Sequence, residues 1–330
     1  MRALPLLAGL IIGVSGTAGA ADRPDATEWL LKASEGGRHA SYQGTVVYRE
    51  EDLLESLRIS HRFKSGREQE RLTSLTGRPR EVIREDDHVV CVLPEQADGG
   101  FVDPAPDLFP AMSRDTLRQV SGQYEFKDIG EARVAGRAVR GVAVLPRDEF
   151  RYGYEVWADA ATAVPLKVSL LDAQGRAVEQ LMFTEVDFTE ALPDRDFAVP
   201  AGARRAPPPA AAQPVAAHDV APGVWILDHL PPGFKVTMRV AQPLPGNQGT
   251  VEHMMLSDGL SAISVFSSGA QQLSHKMYHG MSHMGATHAY GRMVGAYHVT
   301  VVGEVPQATV RLIGDGLRPS LDAENDQPRQ

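Results

Sequence analysis

Histidine and methionine side chains are concentrated towards the carboxyl end of this 330-residue sequence, where they could bind a metal ion. His275, His279 and His283 are four residues apart, a spacing that would place three imidazoles on one face of an α-helix. Imidazole and thioether groups together suit copper. Gly280 and Gly285 interrupt the stretch, however, and methionine also fills gaps in ordinary cores. The three histidines are therefore weak metal candidates, and we expect no cofactor.

Motifs of catalysis are missing from the sequence. It contains no nucleophile elbow, phosphate-binding loop, zinc-protease helix or dinucleotide fingerprint. Its carboxylate clusters, such as residues 50–52, are typical of solvated turns. The single cysteine, Cys91, excludes an intrachain disulfide and a cysteine-rich zinc site. We therefore expect a binding protein and not an enzyme.

The balance of charges argues against one class of partner. The chain has 33 Lys and Arg against 42 Asp and Glu, a formal net charge of −9, whereas a nucleic-acid binder needs a basic surface. Hydrophobic residues make up 43% of the sequence, which is enough for real cores. At this length two domains are the more common organisation.

The amino terminus has the pattern of a secretory signal peptide over residues 1–20. Arg2 supplies the positive start, residues 3–14 are apolar, and Ala18-Gly19-Ala20 predicts cleavage after Ala20. The apolar run is shorter than the roughly 20 residues that a membrane span needs. We therefore expect a soluble, exported protein of the periplasm.

A proline- and alanine-rich segment divides the remainder of the chain. Residues 201–222 contain almost no large apolar side chain and are typical of a semi-rigid linker. The linker would join a first domain of residues 21–200, net charge −10, to a second domain of residues 223–318, net charge +1. Residues 319–330 are polar, which predicts a disordered tail.

The first domain has the pattern of a β-rich fold. Asp25 or Thr27 would cap a helix through Trp29 that ends near Gly36, and a short helix is predicted around residues 115–120. Strand patterns recur at residues 45–49, 57–63, 89–93, 139–145, 151–157, 166–171 and 177–188. Short connections make neighbouring strands antiparallel. The pattern predicts a strongly curved sheet or an incomplete barrel with one face covered by helix.

The second domain is predicted to be a smaller α+β unit. Strand patterns lie at residues 224–227, 251–256, 261–266 and 297–302. A helix would begin at Pro306 and end at Gly314, with Val310, Leu312 and Ile313 facing inward.

Several stretches, in order along nearly the whole mature chain, resemble the RseB/MucB family of periplasmic regulators. They are residues 41–45, 55–58 with His61, 77–82, 133–137, 146–148 with 151–152, 165–180, 230–234, 257–260 and 299–306. The resemblance implies a first domain similar to the lipoprotein carriers LolA and LolB, an unclosed β-barrel with helices in its mouth. It also implies a non-enzymatic protein that binds the periplasmic part of an anti-sigma factor (RseA or MucA type) and protects it from first-site proteolysis. Lipopolysaccharide would be the release signal, so the protein would negatively regulate the envelope stress sigma factor.

The resemblance also changes how the apolar faces are interpreted. Alternation alone favours ordinary core for the concave face, whereas the resemblance implies an acyl-chain cavity. Its candidate lining residues are Leu57, Ile59, Phe63, Tyr152, Tyr154, Val156, Leu166, Val168 and Leu170. Arg147 and Arg151 are candidates for binding a lipid headgroup. An apolar patch of Leu230, Phe234 and Leu260 could bind an amphipathic helix of the partner, or could be core of the second domain.

Two other functions stay open from the sequence. A lipid or lipoprotein carrier would need only the first domain, so a second domain on a linker favours a regulator. A periplasmic copper-binding protein would depend on the His/Met tract alone. Self-association is also left open.

Overall fold

A computed structural model describes residues 25–77, 81–86, 88–92, 112–199, 204–205, 225–243, 250–269 and 279–319 of the chain. The predicted signal peptide, most of the predicted linker and all but the first residue of the predicted tail lie outside these residues. Among the described residues, no helix combines the length and the apolar character needed to cross a bilayer.

Among the described residues up to position 205, eleven strands form one antiparallel sheet, which two α-helices accompany. The helices are α1 (Ala26–His39) and α2 (Arg114–Val120). The strands are β1 (Tyr42–Glu50), β2 (Leu53–Lys64), β3 (Arg67–Ser74), β4 (Glu81–Glu85), β5 (His88–Val92), β6 (Tyr124–Val134), β7 (Arg137–Pro146), β8 (Gly153–Asp159), β9 (Pro165–Leu171), β10 (Ala177–Phe188) and β11 (Arg204–Arg205).

The sheet is open, because its order is β11-β5-β4-β3-β2-β1-β10-β9-β8-β7-β6 and its two edge strands do not pair with each other. Its core lies on one face, where β1, β2, β9 and β10 contribute a cluster around Val46, Ile59 and Phe183. Helices α1 and α2 cover a second cluster, which includes Leu30, Leu117 and strands β6 to β8. The expected unclosed barrel with helices on its inner face is therefore confirmed.

Residues 225–319 form a smaller α+β unit, as predicted. Its strands are β12 (Trp225–Leu227), β13 (Lys235–Pro243), β14 (Thr250–Ser257), β15 (Ala262–Gly269), β16 (Gly280–Met284), β17 (Thr287–Val294), β18 (Tyr297–Gly303) and β19 (Leu317–Pro319), with helix α3 (Gln307–Asp315). Strands β13 to β18 make a six-stranded sheet in the order β13-β14-β15-β18-β17-β16. Val310 and Ile313 of α3 pack on this sheet, and β12 pairs with β19 beside them.

Several sequence boundaries are wrong for identifiable reasons. Helix α1 does not end at Gly36 but continues to His39. Gly36 lies so close to the β8–β9 turn that a Cβ there would be 2.8 Å from Ala163 C. The glycine thus permits close packing and does not end the helix. Pro319, assigned to the tail, pairs with Trp225.

The predicted linker also contains structure, since Arg204–Arg205 pair with β5 as an edge strand. The predicted helix from Pro306 is confirmed, but it ends at Asp315. Strands β3, β4, β6, β13, β16 and β17 were not predicted. Charged residues interrupt the apolar pattern in β3, β4 and β6.

The β8–β9 turn that supports α1 depends on one buried carboxylate. Asp159 is 1% exposed. It accepts hydrogen bonds from the backbone N–H groups of Ala161 and Thr162, at 3.1 and 2.8 Å, and from Arg137 Nε at 2.6 Å. Burial by itself raises the pKa of Asp159, but the hydrogen bonds from Arg137 and Thr162 outweigh it and hold that pKa below its ordinary value.

We predict that Asp159→Asn lowers the free energy of unfolding by about 1–3 kcal/mol, because it weakens hydrogen bonds to buried donors. Since the folded-state pKa is depressed, this stabilisation is present above the unfolded pKa of Asp and is lost as the pH falls through the folded pKa. Urea unfolding at pH 7 and near pH 3 measures both effects. The variant should differ from wild type less at the lower pH. Asp115→Asn, whose side chain is 90% exposed, is the control and should differ little at either pH; an equal loss for both variants contradicts the prediction.

Candidate functional site

The side chain of Arg151 is fully buried, at 0% exposure, between the two parts of the chain, which are residues 25–205 (the first part) and residues 225–319 (the second part). Its Nη1 donates to Asp258 Oδ2 at 2.5 Å, and its Nε and Nη2 each donate to an oxygen of Asp148 at 3.0 Å. Nη2 also donates to the carbonyl oxygen of Pro232 at 2.6 Å. A buried cation is strongly destabilising unless it is paired and hydrogen-bonded. One carboxylate from each part, Asp148 and Asp258, balances the charge of Arg151. The ion pair with Asp258 therefore joins the two parts.

Aromatic rings enclose the same guanidinium. The centre of the Arg151 guanidinium lies 5.5 Å from the ring of Tyr124 and 5.1 Å from the ring of Phe234, one ring from each part. The Tyr124 hydroxyl donates to Asp258 Oδ2 at 3.3 Å. Burial, and then the charge of Asp258, raise the pKa of Tyr124 well above its ordinary value. The burial of Arg151 and Asp258 strengthens the electrostatic contacts of the site.

The β14–β15 turn carries Asp258 and packs against the end of α2. Asp258 Oδ1 accepts from the backbone N–H of Leu260 at 2.9 Å, and the Asp258 carbonyl accepts from Gln119 Nε2 at 3.3 Å. Gly259 has a φ of +109°, and a Cβ there would be 3.2 Å from Val120. The turn thus needs glycine both for its backbone conformation and for its close approach to α2.

A second contact between the parts forms where the β16–β17 hairpin meets the β1–β2 turn. His283 Nε2 lies 3.4 Å from Glu51 Oε1. Gly285, at the tip of the hairpin, lies directly against Glu50, so that a Cβ at Gly285 would overlap the Glu50 carboxylate. Two acidic residues of the first part therefore face the histidine-bearing hairpin of the second.

The turn of the hairpin also packs against the sheet, beside β8 and β9. Ala286 is buried in a small cluster with Tyr152 and Leu170. The Tyr152 hydroxyl is 3.4 Å from Nδ1 of His288, and burial raises the pKa of Tyr152 to about 12. Burial lowers the pKa of His288. The contact is therefore between uncharged groups at neutral pH.

The predicted lipid-cavity residues lie on the inner face of the sheet, in packed clusters. The cluster around Val46 and Phe183 contains Leu57, Ile59 and Leu166. The cluster beneath α1 and α2 contains Tyr154, Val156 and Val168, and the contact with Ala286 contains Tyr152 and Leu170. Phe63 packs on His39, with ring centroids 4.7 Å apart. In this arrangement helices and hairpin residues already contact the face on which an acyl chain would lie.

Helix α1 is held over that face by a buried histidine. His61 is 1% exposed, with Nδ1 at 2.8 Å from the Ala40 carbonyl oxygen and Nε2 at 3.1 Å from Glu68 Oε1. Both ring nitrogens therefore face oxygen acceptors. Burial by itself raises the pKa of Glu68, but His61 and Arg38 lower it below its ordinary value. Glu68 thus anchors the carboxyl end of α1 through Arg38 directly and through His61.

The two headgroup candidates are in contrasting positions. Arg147 is exposed, and its backbone N–H donates to the carbonyl of Gln123 at 2.8 Å. Arg151 faces no solvent, since its donors are occupied by Asp148, Asp258 and Pro232. In this arrangement the assignment of Arg151 to a headgroup site is therefore wrong.

The three candidates for partner binding do not form an exposed patch. Phe234 is 5% exposed, and Leu230 packs against the same core of the second part. Leu260 packs against the α1–α2 cluster of the first part. Phe234 is therefore buried and Leu230 and Leu260 are half-buried, and these side chains pack in the second part and in its contact with the first.

The histidine tract is not helical where the structure describes it. His283 lies in β16, directly opposite His288 of β17, and His279 comes just before β16; His275 lies outside the described residues. The predicted stack on one helix face is therefore wrong, because Gly285, with a φ of +55°, turns the chain into a hairpin. Among the described residues, no group of three His, Cys, Asp or Glu side chains is arranged to hold a metal ion.

Sequence reasoning missed the pairing of Arg151 with Asp258. The residues are 107 positions apart, and each belongs to a motif that looks local, with Asp148 three residues before Arg151 and Asp258 in a Ser-Asp-Gly turn. The only available signal was that both stretches were among those shared with the known family.

Comparisons with known proteins cover nearly the whole chain. A family model described as the MucB/RseB N-terminal domain matches residues 25–201, and one described as the MucB/RseB C-terminal domain matches residues 220–318. The sigma factor AlgU regulatory protein MucB of Pseudomonas aeruginosa is 34% identical over 329 residues, which are 97% of this chain and 98% of that protein.

Solved structures of MucB also match. A crystal structure of MucB in complex with MucA(peri) has a TM-score of 0.70 at 30% identity and covers 90% of this chain and 99% of that one. A crystal structure of MucB has a TM-score of 0.62 at 30% identity and covers 91% and 99% of the two chains. The present structure is thus more similar to MucB with its bound partner.

We predict that Arg151→Met lowers the free energy of unfolding by about 3–5 kcal/mol, because it leaves Asp258 buried without its counter-charge. It should also increase the radius of gyration in small-angle X-ray scattering, as the two parts lose their main polar contact. Arg147→Met removes a nearby exposed arginine and is the matched control, with both quantities close to wild type. An unchanged radius of gyration and an unchanged stability for Arg151→Met would show that the ion pair does not hold the parts together.

Proposed function

This chain belongs to the MucB/RseB family, and we propose that it is a periplasmic regulator that binds the periplasmic segment of a membrane anti-sigma factor of the MucA or RseA type. The observation that carries the proposal is the similarity, over 90% of the chain, to MucB in complex with MucA(peri).

Binding of this kind would regulate the anti-sigma factor by blocking access of a protease to it. A partner segment held against the surface is withheld from the first-site protease, so the anti-sigma factor survives and the envelope stress sigma factor stays inactive. The protein needs no catalytic group for this task, in agreement with relatives that are named as regulatory proteins.

Release by an acylated lipid, such as lipopolysaccharide, would use the inner face of the sheet. An acyl chain gains ~0.8 kcal/mol for each buried methylene group, but the face is covered by α1, α2 and the β16–β17 hairpin. The lipid would therefore bind by displacing one of these covers. A ligand that binds only when one of these covering elements is displaced would destabilise the arrangement in which the two parts are joined. The ligand would in this way weaken binding of the partner.

The charge distribution limits where the lipid headgroup can bind. Residues 21–200 carry a net charge of −10, which disfavours a general electrostatic attraction to phosphorylated sugars. Arg147, the exposed member of the predicted pair, is our remaining headgroup candidate. Burial of acyl chains would supply most of the affinity.

The rival function, a lipid or lipoprotein carrier without a regulatory role, accounts for the sheet but not for the second part of the chain. The buried ion pair and the hairpin contact couple the second part to the sheet, as a regulator requires. This coupling favours the regulator.

We predict that the protein without its signal peptide binds the purified periplasmic domain of Pseudomonas aeruginosa MucA, with MucB of the same species as the positive control. Isothermal titration calorimetry measures the affinity, and cleavage by the first-site protease, with and without this protein, measures the protection. Binding by MucB but not by this protein would contradict the proposal.

We also predict reciprocal coupling with lipid. Purified lipopolysaccharide should lower the affinity for the MucA domain, and the MucA domain should lower the affinity for lipopolysaccharide by the same factor. De-acylated lipopolysaccharide is the control and should have little effect, because the acyl chains supply the affinity. Independent binding of the two ligands would leave partner binding intact but exclude release by lipid.

A further inference from the structure

Helix α2 contacts both of the regions that the proposed regulation would connect. Its apolar side chains Leu117 and Val120 are 1% and 0% exposed, and they pack with α1 and strands β6 to β8 on the inner face of the sheet. Its carboxyl end contacts the second part, where Gln119 Nε2 donates to the carbonyl of Asp258 at 3.3 Å. Helix α2 therefore covers the inner face and also touches the joint between the parts.

Both groups through which the second part holds the Arg151 guanidinium lie beside α2. These groups are the carboxylate of Asp258 and the carbonyl of Pro232. Each of the two residues is followed in the chain by a glycine that packs against α2 or against the turn directly after it. We call residues 231–234 and 258–261 the two Arg151 loops.

The glycines of the Arg151 loops fit closely against residues 119–123. A Cβ at Gly259 would be 3.2 Å from Val120 Cγ1, and a Cβ at Gly233 would be 2.8 Å from Gln123 Cδ. Both glycines also have a positive φ, of +109° and +86°, which other residues rarely adopt. The position of each Arg151 loop therefore depends on the position of α2 and its following turn.

Helix α2 has little stability of its own. It contains seven residues, and helices shorter than about 12 residues are marginal in water without packing. Ser113 caps its amino end, and Arg114 pairs with Glu28 of α1, but both side chains of that ion pair are exposed, so the pair contributes little. Burial of Leu117 and Val120 is therefore the main interaction that keeps α2 in place.

Helix α1 is attached more firmly to the same face. It contains 14 residues. Trp29 Nε1 donates to the carbonyl of Arg140 at 3.1 Å, Gly36 packs tightly on the β8–β9 turn, and the buried His61 lies 2.8 Å from the carbonyl oxygen of Ala40. Of the two helices, α2 is thus the one that an apolar ligand would displace at the lower cost.

We propose that α2 transmits binding of an acylated lipid at the inner face to the joint between the two parts. This inference rests on the proposed function and assigns its regulation to one helix. An acyl chain that enters between α2 and strands β7 and β8 must displace Leu117 and Val120, because these side chains fill that space. Since Val120 also supports the loop that carries Asp258, its displacement loosens the ion pair with Arg151.

Hydrogen exchange followed by mass spectrometry tests this inference, because both Arg151 loops contain hydrogen-bonded amides. The N–H of Phe234 donates to the carbonyl of Pro231 at 3.2 Å, and the N–H of Ser261 donates to Asp258 Oδ1 at 2.7 Å. In the protein without its signal peptide, purified lipopolysaccharide should accelerate exchange in α2 and in both loops by about tenfold, while residues 29–33 of α1 stay protected. De-acylated lipopolysaccharide is the control and should leave all these segments unchanged.

Three results of this experiment would overturn the inference. Faster exchange in α1 with no change in α2 would identify the other helix as the displaced cover. Faster exchange in α2 with no change in either Arg151 loop would show that α2 moves without transmitting its movement. Binding of lipopolysaccharide without any change in α2 would place the lipid elsewhere.

A substitution beneath α2 should reproduce the effect without lipid. Leu117→Ala weakens the packing of α2, so exchange in both Arg151 loops should become about tenfold faster. Leu72→Ala makes the same change at a buried position in the cluster around Val46, and it is the matched control, with loop exchange within about twofold of wild type. Equal acceleration in the two variants would indicate a general loss of stability and contradict transmission by α2.

A second variant tests the connection without changing the core. Gln119→Ala removes the hydrogen bond from α2 to the Asp258 carbonyl and should accelerate exchange in the loop of residues 258–261 by about threefold. Arg118→Ala alters the neighbouring exposed position of α2, whose ion pair with Asp115 lies within the first part, and should leave that loop unchanged. Equal exchange in the two variants would contradict the connection.

Binding of the Pseudomonas aeruginosa MucA periplasmic domain, measured in parallel, separates this inference from the proposed function. If the wild type binds MucA and the Arg151 loops do not respond to lipid or to Leu117→Ala, the function stands and α2 is not the transmitter. A wild type that binds MucA but not lipopolysaccharide excludes release by lipid, and this inference with it. If MucB binds MucA and the wild type does not, the proposed function itself fails.

Discussion

The burial of one arginine constrains the rest of this structure. A guanidinium cannot lose its charge, so Arg151 at zero exposure is stable only while Asp148, Asp258 and the Pro232 carbonyl surround it. These groups come from both parts of the chain. The position of the β14–β15 turn against α2, and of Phe234 over the guanidinium, follows from that requirement. The ion pair specifies one arrangement of the parts more than it adds stability, because its desolvation is costly.

The contacts around this ion pair differ in chemical character. The hairpin contact is apolar at Ala286 and Tyr152 and acidic at Glu50 and Glu51. A further contact is a hydrogen bond from Thr309 Oγ1 of α3 to the carbonyl of Phe150 at 2.7 Å. Packed interfaces of this kind change between discrete arrangements and do not deform continuously. Such a joint suits a regulator in which one ligand favours the joined state and another opposes it. The protein's own helices and hairpin cover the inner face of the sheet. Under the proposed function, lipid and partner would therefore oppose each other through the fold and not by competing for a shared pocket.

Local patterns predicted most of the strands and helices but assigned the roles of several side chains wrongly. Alternation placed Leu57 and Ile59 on one face, and Asp25 caps α1 as expected. The same reasoning placed Arg151 in a headgroup site, because a sequence shows that an arginine is present but not which carboxylate will meet it. The sequence left open whether Phe234 and Leu260 belong to a partner surface or to a core, since apolar character does not distinguish exposed from covered faces. The histidines four residues apart suggested a helix, but Gly280 begins a strand and Gly285 lies in a hairpin turn instead.

The sequence by itself determined the two-part organisation, the α+β class and the family, because these depend on composition, periodicity and the order of motifs along the chain. Only the tertiary structure decided which side chains hold the parts together and which remain exposed. The physical reason is distance: Arg151 and Asp258 are 107 residues apart, and Tyr152 and His288 are 136 residues apart. Long-range pairings of this kind depend on how both sheets fold and pack, and no local pattern encodes them.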